Sequence, residues 1–343
     1  MIQFKQGNYP YTVSSSVMNE VYEDLRTPFK IGAVCKFDEV FTDSPSVYYS
    51  GNKWYMMYLT ISKKCAASGY STWVSESEDL IHWSSPREVL RRNDLNHWDS
   101  KQIAGYLGLA DIEWDGSNIP RKINGEYVVS YLGGNADGYE PAPLYMGLSF
   151  TKDITNPDDY RRISKPILSP YDEDSRDGEK RMLFRSFIFE DTAGITDFKY
   201  VMVYNAKDPE YIERIFLAVS DDAVTWQRYG DRAILDGTLE NSNNKIVADA
   251  QILRKGNLYI MVYFVLNYGE KAYSTFACSY DLVHWTQWNG EPLIKPELDW
   301  ENEHAHKSWI VRHNGVTYNY YCAVNSNNER FIALAVSENM DAT

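Results

Sequence analysis

Long apolar runs are missing from this chain, and no segment approaches the roughly 20 residues that a membrane-spanning helix needs. Basic clusters are missing too. Acidic residues number 48 against 34 Lys and Arg, giving a formal charge of −14 that repels nucleic acid and anionic lipid. A neutral or cationic small molecule is the natural partner. The four cysteines, Cys35, Cys65, Cys278 and Cys322, form no CxxC pair and lack metal-ligand spacing, so they read as reduced, buried thiols. No glycine-rich phosphate loop, dinucleotide-binding fingerprint or serine nucleophile elbow is present, which removes three large enzyme classes. Helix caps followed by amphipathic runs are scarce, which argues against a βαβ fold. The opening residues, MIQFKQGNYPYT, hold no apolar core of signal-peptide length. Cytoplasmic placement is the expectation, or a secreted or periplasmic one if a leader has been trimmed.

Aromatic residues are abundant. At 15% of the chain, with 27 Tyr and 10 Trp, they favour strands over a helical bundle. Five aromatic strands recur: KWYMMY around Tyr55, EYVVSY around Tyr127, KYVMVY around Tyr200, LYIMVY around Tyr259 and VTYNYYCAV around Tyr318. Four of them follow a turn dipeptide that supplies positive φ, namely Gly51-Asn52, Asn124-Gly125, Gly256-Asn257 and Asn314-Gly315. The anchors are 72, 73, 59 and 59 residues apart, and a second landmark (Ser77, Thr151, Ser220, Ser279, Ser337) keeps step at 74, 69, 59 and 58. Two landmarks recurring together define a repeat.

Each unit reads as an inner strand, a hairpin, an aromatic strand, a small-residue strand and an Asp-x-x-x-Trp edge. That is a four-stranded antiparallel blade, and the sequence therefore predicts one all-β domain, a five-bladed β-propeller around a central funnel. Residues 1–40 are expected to supply or cover the outer strand of the last blade, and Trp83, Trp226 and Trp285 to pack between blades. Innermost strands line the axis, so polar residues at their starts share one space. Those segments are Asp43-Ser44-Pro45-Ser46-Val47, Asp111-Ile112-Glu113-Trp114, Arg185-Ser186-Phe187-Ile188, Asp249-Ala250-Gln251-Ile252 and His306-Lys307-Ser308-Trp309. Charges are costly to bury, so a repeated ionisable group at this point suggests use.

The Asp-x-Pro-x-Val start of unit one, followed by NKWYMMYLT, resembles the first blade of glycoside hydrolase family 43 and its five-bladed relatives. The resemblance implies glycosidic-bond cleavage, with inversion, and carries the general base to Asp43. It carries the Asp that orients the sugar and tunes the acid to Asp111 in LADIEW. Family 43 has its general-acid Glu at the start of blade three, where this chain has Arg185-Ser186. Family 117 instead uses a last-blade His beside a fourth-blade Asp, which correspond to His306 and Asp249. Glu113 is the other candidate acid. A His acid needs a neighbouring carboxylate to raise its pKa, a task assigned to Asp249.

The remaining inner-strand groups, Arg185, Ser186, Gln251, Lys307 and Trp114, are expected to touch substrate. Tyr139 and Glu140 on the loop 133–144 are expected to form a rim contacting sugar hydroxyls. Some five-bladed relatives hold a cation near the axis, so a calcium ion is the cofactor to look for, with His304 as a partner of His306 or a ligand. No compact metal motif supports it. The acidic stretch 171–180 reads as a solvated connection. A phosphorylase like family 130, with Arg185, Lys307 and His306 cradling phosphate, and a non-catalytic sugar-binding propeller are the competing readings.

Overall fold

The hairpin turns set the pattern. In the computed structural model, which describes residues 2–64, 67–92, 97–235, 237 and 245–339, both residues of the Gly51-Asn52, Asn124-Gly125 and Asn314-Gly315 turns have positive φ, as does Gly256. Each turn folds an aromatic strand back onto its inner strand. After helix α1 (Ser15–Leu25) and strand β1 (Phe29–Cys35), the strands β2 (Val40–Ser50), β3 (Lys53–Ser62), β4 (Ser71–Ser77) and β5 (Arg87–Leu90) pair in sequence order. The next set is β6 (Gln102–Leu107), β7 (Lys122–Ile123), β8 (Glu126–Gly134), β9 (Tyr145–Thr151) and β10 (Arg161–Arg162), ordered β6-β8-β9-β10 with β7 on β8. Antiparallel ladders then join β11 (Met182–Glu190), β12 (Tyr200–Lys207), β13 (Glu213–Ser220) and β14 (Gln227–Tyr229). The same order holds for β15 (Ile246–Lys255), β16 (Leu258–Leu266), β17 (Tyr273–Ser279) and β18 (Thr286–Gln287). Finally β19 (His304–His313), β20 (Val316–Val324) and β21 (Arg330–Val336) pair in order, and β1 returns from the N-terminal side to pair antiparallel with β21.

The Ser-x-Asp landmark has a local cause. Ser77 Oγ accepts from the Asp79 and Leu80 amides, and Asp79 Oδ1 accepts from the Ile81 and His82 amides. Ser220–Asp222 and Ser279–Asp281 build the same turn, with Leu80, Ala223 and Leu282 all at positive φ. These side chains satisfy amides that leave the third strand, so the motif is a turn device. Between the ladders lies a continuous apolar core that includes Val47, Met56, Phe187, Val203, Leu217, Ile252, Met261, Val311 and Leu334. Helix α1 is capped by Ser14 and lays Met18, Val21 and Leu25 against Ile260 and Phe276.

Two expectations change here. The inner strand of the second unit is Gln102–Leu107, which leaves LADIEW in the connection beyond it. The stretch 171–180 is no simple solvated loop. Arg176 and Glu179 are buried and ion-paired, and Arg228 joins them while also binding Asp172 and Asp174. Arg176 donates further to the carbonyls of Leu217, Tyr229 and Gly230, so every charge in the buried group has a partner. Cys35, Cys278 and Cys322 are buried and unpaired, whereas Cys65 lies outside the described residues.

Candidate active site

A repeated irregularity of the inner strands positions the site. The register slips between Asp43 and Ser46, Leu183 and Ser186, Ala248 and Gln251, and His306 and Trp309. Ser44, Asp249 and Lys307 take positive φ at these bulges. A bulge leaves one residue unpaired and re-aims its side chain. Here it turns Ser44, Arg185, Asp249 and Lys307 toward one cavity of about 270 Å³. Strand β6 has no such slip: Gln102 through Leu107 pair without interruption against Gly134 through Val129.

Of the residues singled out above, Arg185, Asp249, His306, Lys307, Tyr139 and Glu140 line this cavity. Asp43 sits just behind its wall, 2.9 Å from Lys307 Nζ and 3.1 Å from Arg330 Nη1, and Ser44 Oγ bridges Asp43 to Asp249. Burial alone would raise the Asp43 carboxyl, but Lys307 and Arg330 outweigh it and hold the group well below the usual carboxylate range. Its contribution to stability is therefore in place above the ordinary aspartate pKa of about 3.9. That contribution is lost only as pH falls through the depressed folded value. Such a carboxylate is already occupied on both oxygens, since Oδ1 accepts from the Ser44 amide. Asp43→Asn is thus expected to strand two cations and cost about 3–5 kcal/mol of stability by denaturant titration at pH 7.

His306 does not fit the role of an acid charged by Asp249. Burial, then Lys307, pushes its pKa well below the usual histidine range. Its Nδ1 lies 3.2 Å from the Cys322 carbonyl, which can only accept, so the neutral ring donates there and keeps Nε2 as an acceptor. His304 is likewise held neutral, chiefly by burial, with Nδ1 accepting from the Ala272 amide.

Asp111, Glu113, Trp114 and Gln251 belong to the other end of the inner strands, around a separate cavity of about 20 Å³. Asp111 closes a turn by accepting from the Glu113 and Ser117 amides, and Glu113 is ion-paired with Arg254. Trp114 packs under Arg312, and the Gln251 amide ties β15 to β19 through both atoms of Ile310. Ser186 is buried against Ser130 and does not line the larger cavity. The cause is the straight β6: without a bulge it delivers no polar group to the axis, and the next acidic residues come only after the chain has left the strand.

Four charged or phenolic groups that the inner-strand pattern does not reveal complete the cavity: Lys207, Glu213, Arg330 and Tyr70. Lys207 ends β12 and Glu213 begins β13, where they are cross-strand partners. Lys207 Nζ lies 3.3 Å from Glu213 Oε2 and 3.3 Å from Glu140 Oε2, so one ammonium bridges two carboxylates. Glu140 also accepts from the Tyr70 hydroxyl, and Glu213 accepts from the Asn205 amide. Burial raises the Glu213 pKa above the usual glutamate range, Lys207 opposes the rise, and Glu140 and Asp249 add to it. Burial works against the Lys207 charge, but Glu213 and Glu140 overcome it and hold the ammonium protonated.

No family model matches the sequence, and no curated protein matches it. Solved structures do. A structure described as a complex of BT0996 and RGII shares 36% identity over 96% of this chain and 97% of its own, with a TM-score of 0.90. A second, described as a glycoside hydrolase, matches with the same figures.

The chain is a glycoside hydrolase.

More distant structures share the fold alone. They include a thermostable family-43 glycoside hydrolase at 14% identity and TM-score 0.61, covering 87% of this chain and 89% of its own. An α-L-arabinofuranosidase from Lactobacillus brevis matches at 12% and 0.64, covering 88% and 93%. In this glycoside hydrolase a pair of carboxyls in one cavity, one of them raised in pKa, is the arrangement that acid-assisted cleavage requires. A calcium ion at the axis does not fit the residues present. Asp43 and Asp249, the carboxylates nearest the two histidines along the inner strands, face Lys307, Arg330 and Arg185, so cations of the protein itself balance them. Among the described residues no group of three or more His, Cys, Asp and Glu is arranged to hold a metal.

Proposed function

We propose that this glycoside hydrolase removes a terminal sugar from an oligosaccharide, with Glu213 as the proton donor and Glu140 as the carboxylate partner. One observation carries the assignment: a single buried ammonium, Lys207, stands 3.3 Å from both carboxyls. Their two nearest oxygens can therefore be no further apart than twice that distance. Retaining enzymes hold the pair about 5–5.5 Å apart, and inverting ones roughly 6.5–9.5 Å, to admit a water. The bound favours direct attack by Glu140 on the sugar, in place of the inversion implied by the likeness to family 43. The raised Glu213 pKa supports its role as acid, because a donor must still hold its proton near working pH.

Terminal rather than internal cleavage is supported by the cavity. Its volume of about 270 Å³ lies below the roughly 300–1,000 Å³ usual for larger ligands. The five strand sets favour a five-bladed ring with this cavity at its axis, and β1 beside β21 would complete the last blade. Hydrolysis is favoured over phosphorolysis because each cation of the cavity already has an acidic neighbour: Lys207 with Glu140 and Glu213, Lys307 and Arg330 with Asp43, and Arg185 with Asp249. Arg185 is further pressed between the rings of Tyr106 and Trp309, which leaves it little reach for an added anion.

The similarity to the BT0996 complex makes an RGII oligosaccharide the first substrate to try. Incubation with it, with and without phosphate, should release one monosaccharide at the same rate in both. The sugar freed first should carry the anomeric configuration of the original bond by proton NMR. An inverted first product would remove Glu140 as nucleophile, and phosphate dependence would make the protein a phosphorylase.

A further inference from the structure

The cavity changes chemistry from floor to mouth. Its deeper wall is polar and almost closed to solvent: Asp249, Glu213, His306 and Arg185 are all buried. Two tyrosines that line the same cavity are instead open, Tyr139 at 47% and Tyr268 at 56% exposure. They come from different strand sets, Tyr139 from the loop between β8 and β9 and Tyr268 from the turn between β16 and β17. Neither ring is free to swing. Tyr268 donates its hydroxyl to the Tyr211 carbonyl at 3.1 Å, and Tyr211 is itself covered by the Arg181 guanidinium 3.9 Å above its ring. The Tyr139 hydroxyl accepts from Arg330 at 3.1 Å, and its ring packs against Tyr70.

An aromatic face left in water forgoes roughly 25 cal/mol per Å² of burial, and a ring already fixed by its hydroxyl loses little more freedom when something covers it. Both conditions favour an occupant at the mouth. A sugar ring matches it, because its hydroxyls point outward around a flat face of C–H groups that lies well on an aromatic ring. The terminal sugar belongs on the polar floor, beside Glu213 and Glu140. The next sugar, which departs with the leaving oxygen, then falls at the mouth.

We propose that Tyr268, with Tyr139 beside the same opening, forms a subsite for the sugar ring on the leaving-group side of the bond. The proposal rests on the reading of the cavity as the site of terminal-sugar release. The two fail differently.

The test compares two substrates of the wild type, Tyr268→Ala and Tyr268→Phe proteins. One is the RGII oligosaccharide; the other is the fluoride of the sugar released from it, whose leaving group has no ring to stack. Tyr268→Ala should raise KM for the oligosaccharide about tenfold more than KM for the fluoride, the scale of one lost ring contact. Tyr268→Phe keeps the ring and should stay within a few-fold of wild type on both. Equal effects on the two substrates, or none on the oligosaccharide, would overturn the subsite while leaving the hydrolase reading in place. A wild-type protein that frees no sugar from the RGII oligosaccharide would overturn both.

Discussion

Glu213→Gln should lower kcat on an oligosaccharide by about 10²–10⁴-fold, the usual worth of a positioned proton donor. The substitution keeps the shape and the hydrogen bond from Asn205 but removes the proton that the leaving oxygen needs. Burial and the negative neighbours Glu140 and Asp249 raise the Glu213 pKa, so wild-type activity should be full at low pH and fall as pH rises through that value. The variant should lose this basic limb altogether. A dinitrophenyl glycoside separates the donor role from a structural one, since its leaving group departs without help from an acid. Activity on that substrate should survive far better than activity on the oligosaccharide. Equal loss on both would return Glu213 to a packing role. Unchanged activity on both would pass the proton to another group of the cavity.

Much of the architecture is legible because its causes are local. Turn dipeptides with positive φ and the Ser-x-Asp amide trap lie within a few residues of one another, so both print a visible repeat. The site is legible only where it rides on that repeat. Asp249, Arg185 and Lys307 sit at inner-strand bulges and share the cavity, as expected of groups at corresponding strand positions. Asp111 breaks the rule because β6 pairs straight, and the acidic LADIEW segment mimics a strand start while closing a turn at the other end. Glu213 and Lys207 stay hidden for another reason. They stand on the third and second strands of their unit, where a charge usually faces water. Their one sequence signal is a pair of opposite charges bracketing the short hairpin between β12 and β13. Glu140 is legible as a rim residue, yet its partnership with Glu213 is not, because 73 positions of sequence separate them.

Lys207→Met should move the pH–rate profile and not merely scale it. The methionine preserves side-chain length but removes the ammonium that stands between Glu140 and Glu213. Three neighbours then act on Glu213 alone: the charges of Glu140 and Asp249 and the amide of Asn205. With the one opposing cation gone, its pKa rises further, so the basic limb of kcat/KM should shift to higher pH. Stability should respond in the matching direction. An acid whose folded pKa is raised stabilises the fold at low pH and loses that contribution as pH rises through it, so the deficit of the variant should grow with pH. Near neutrality it should reach about 3–5 kcal/mol, the scale for breaking a buried ion pair. Lys207→Arg keeps the charge and should leave the limb close to its wild-type position even if kcat falls. A lysine that served only packing would give a different result: lower rates at every pH with the limb unmoved. That outcome would detach Lys207 from the proton balance of the pair and leave Glu213 to be tuned by burial alone.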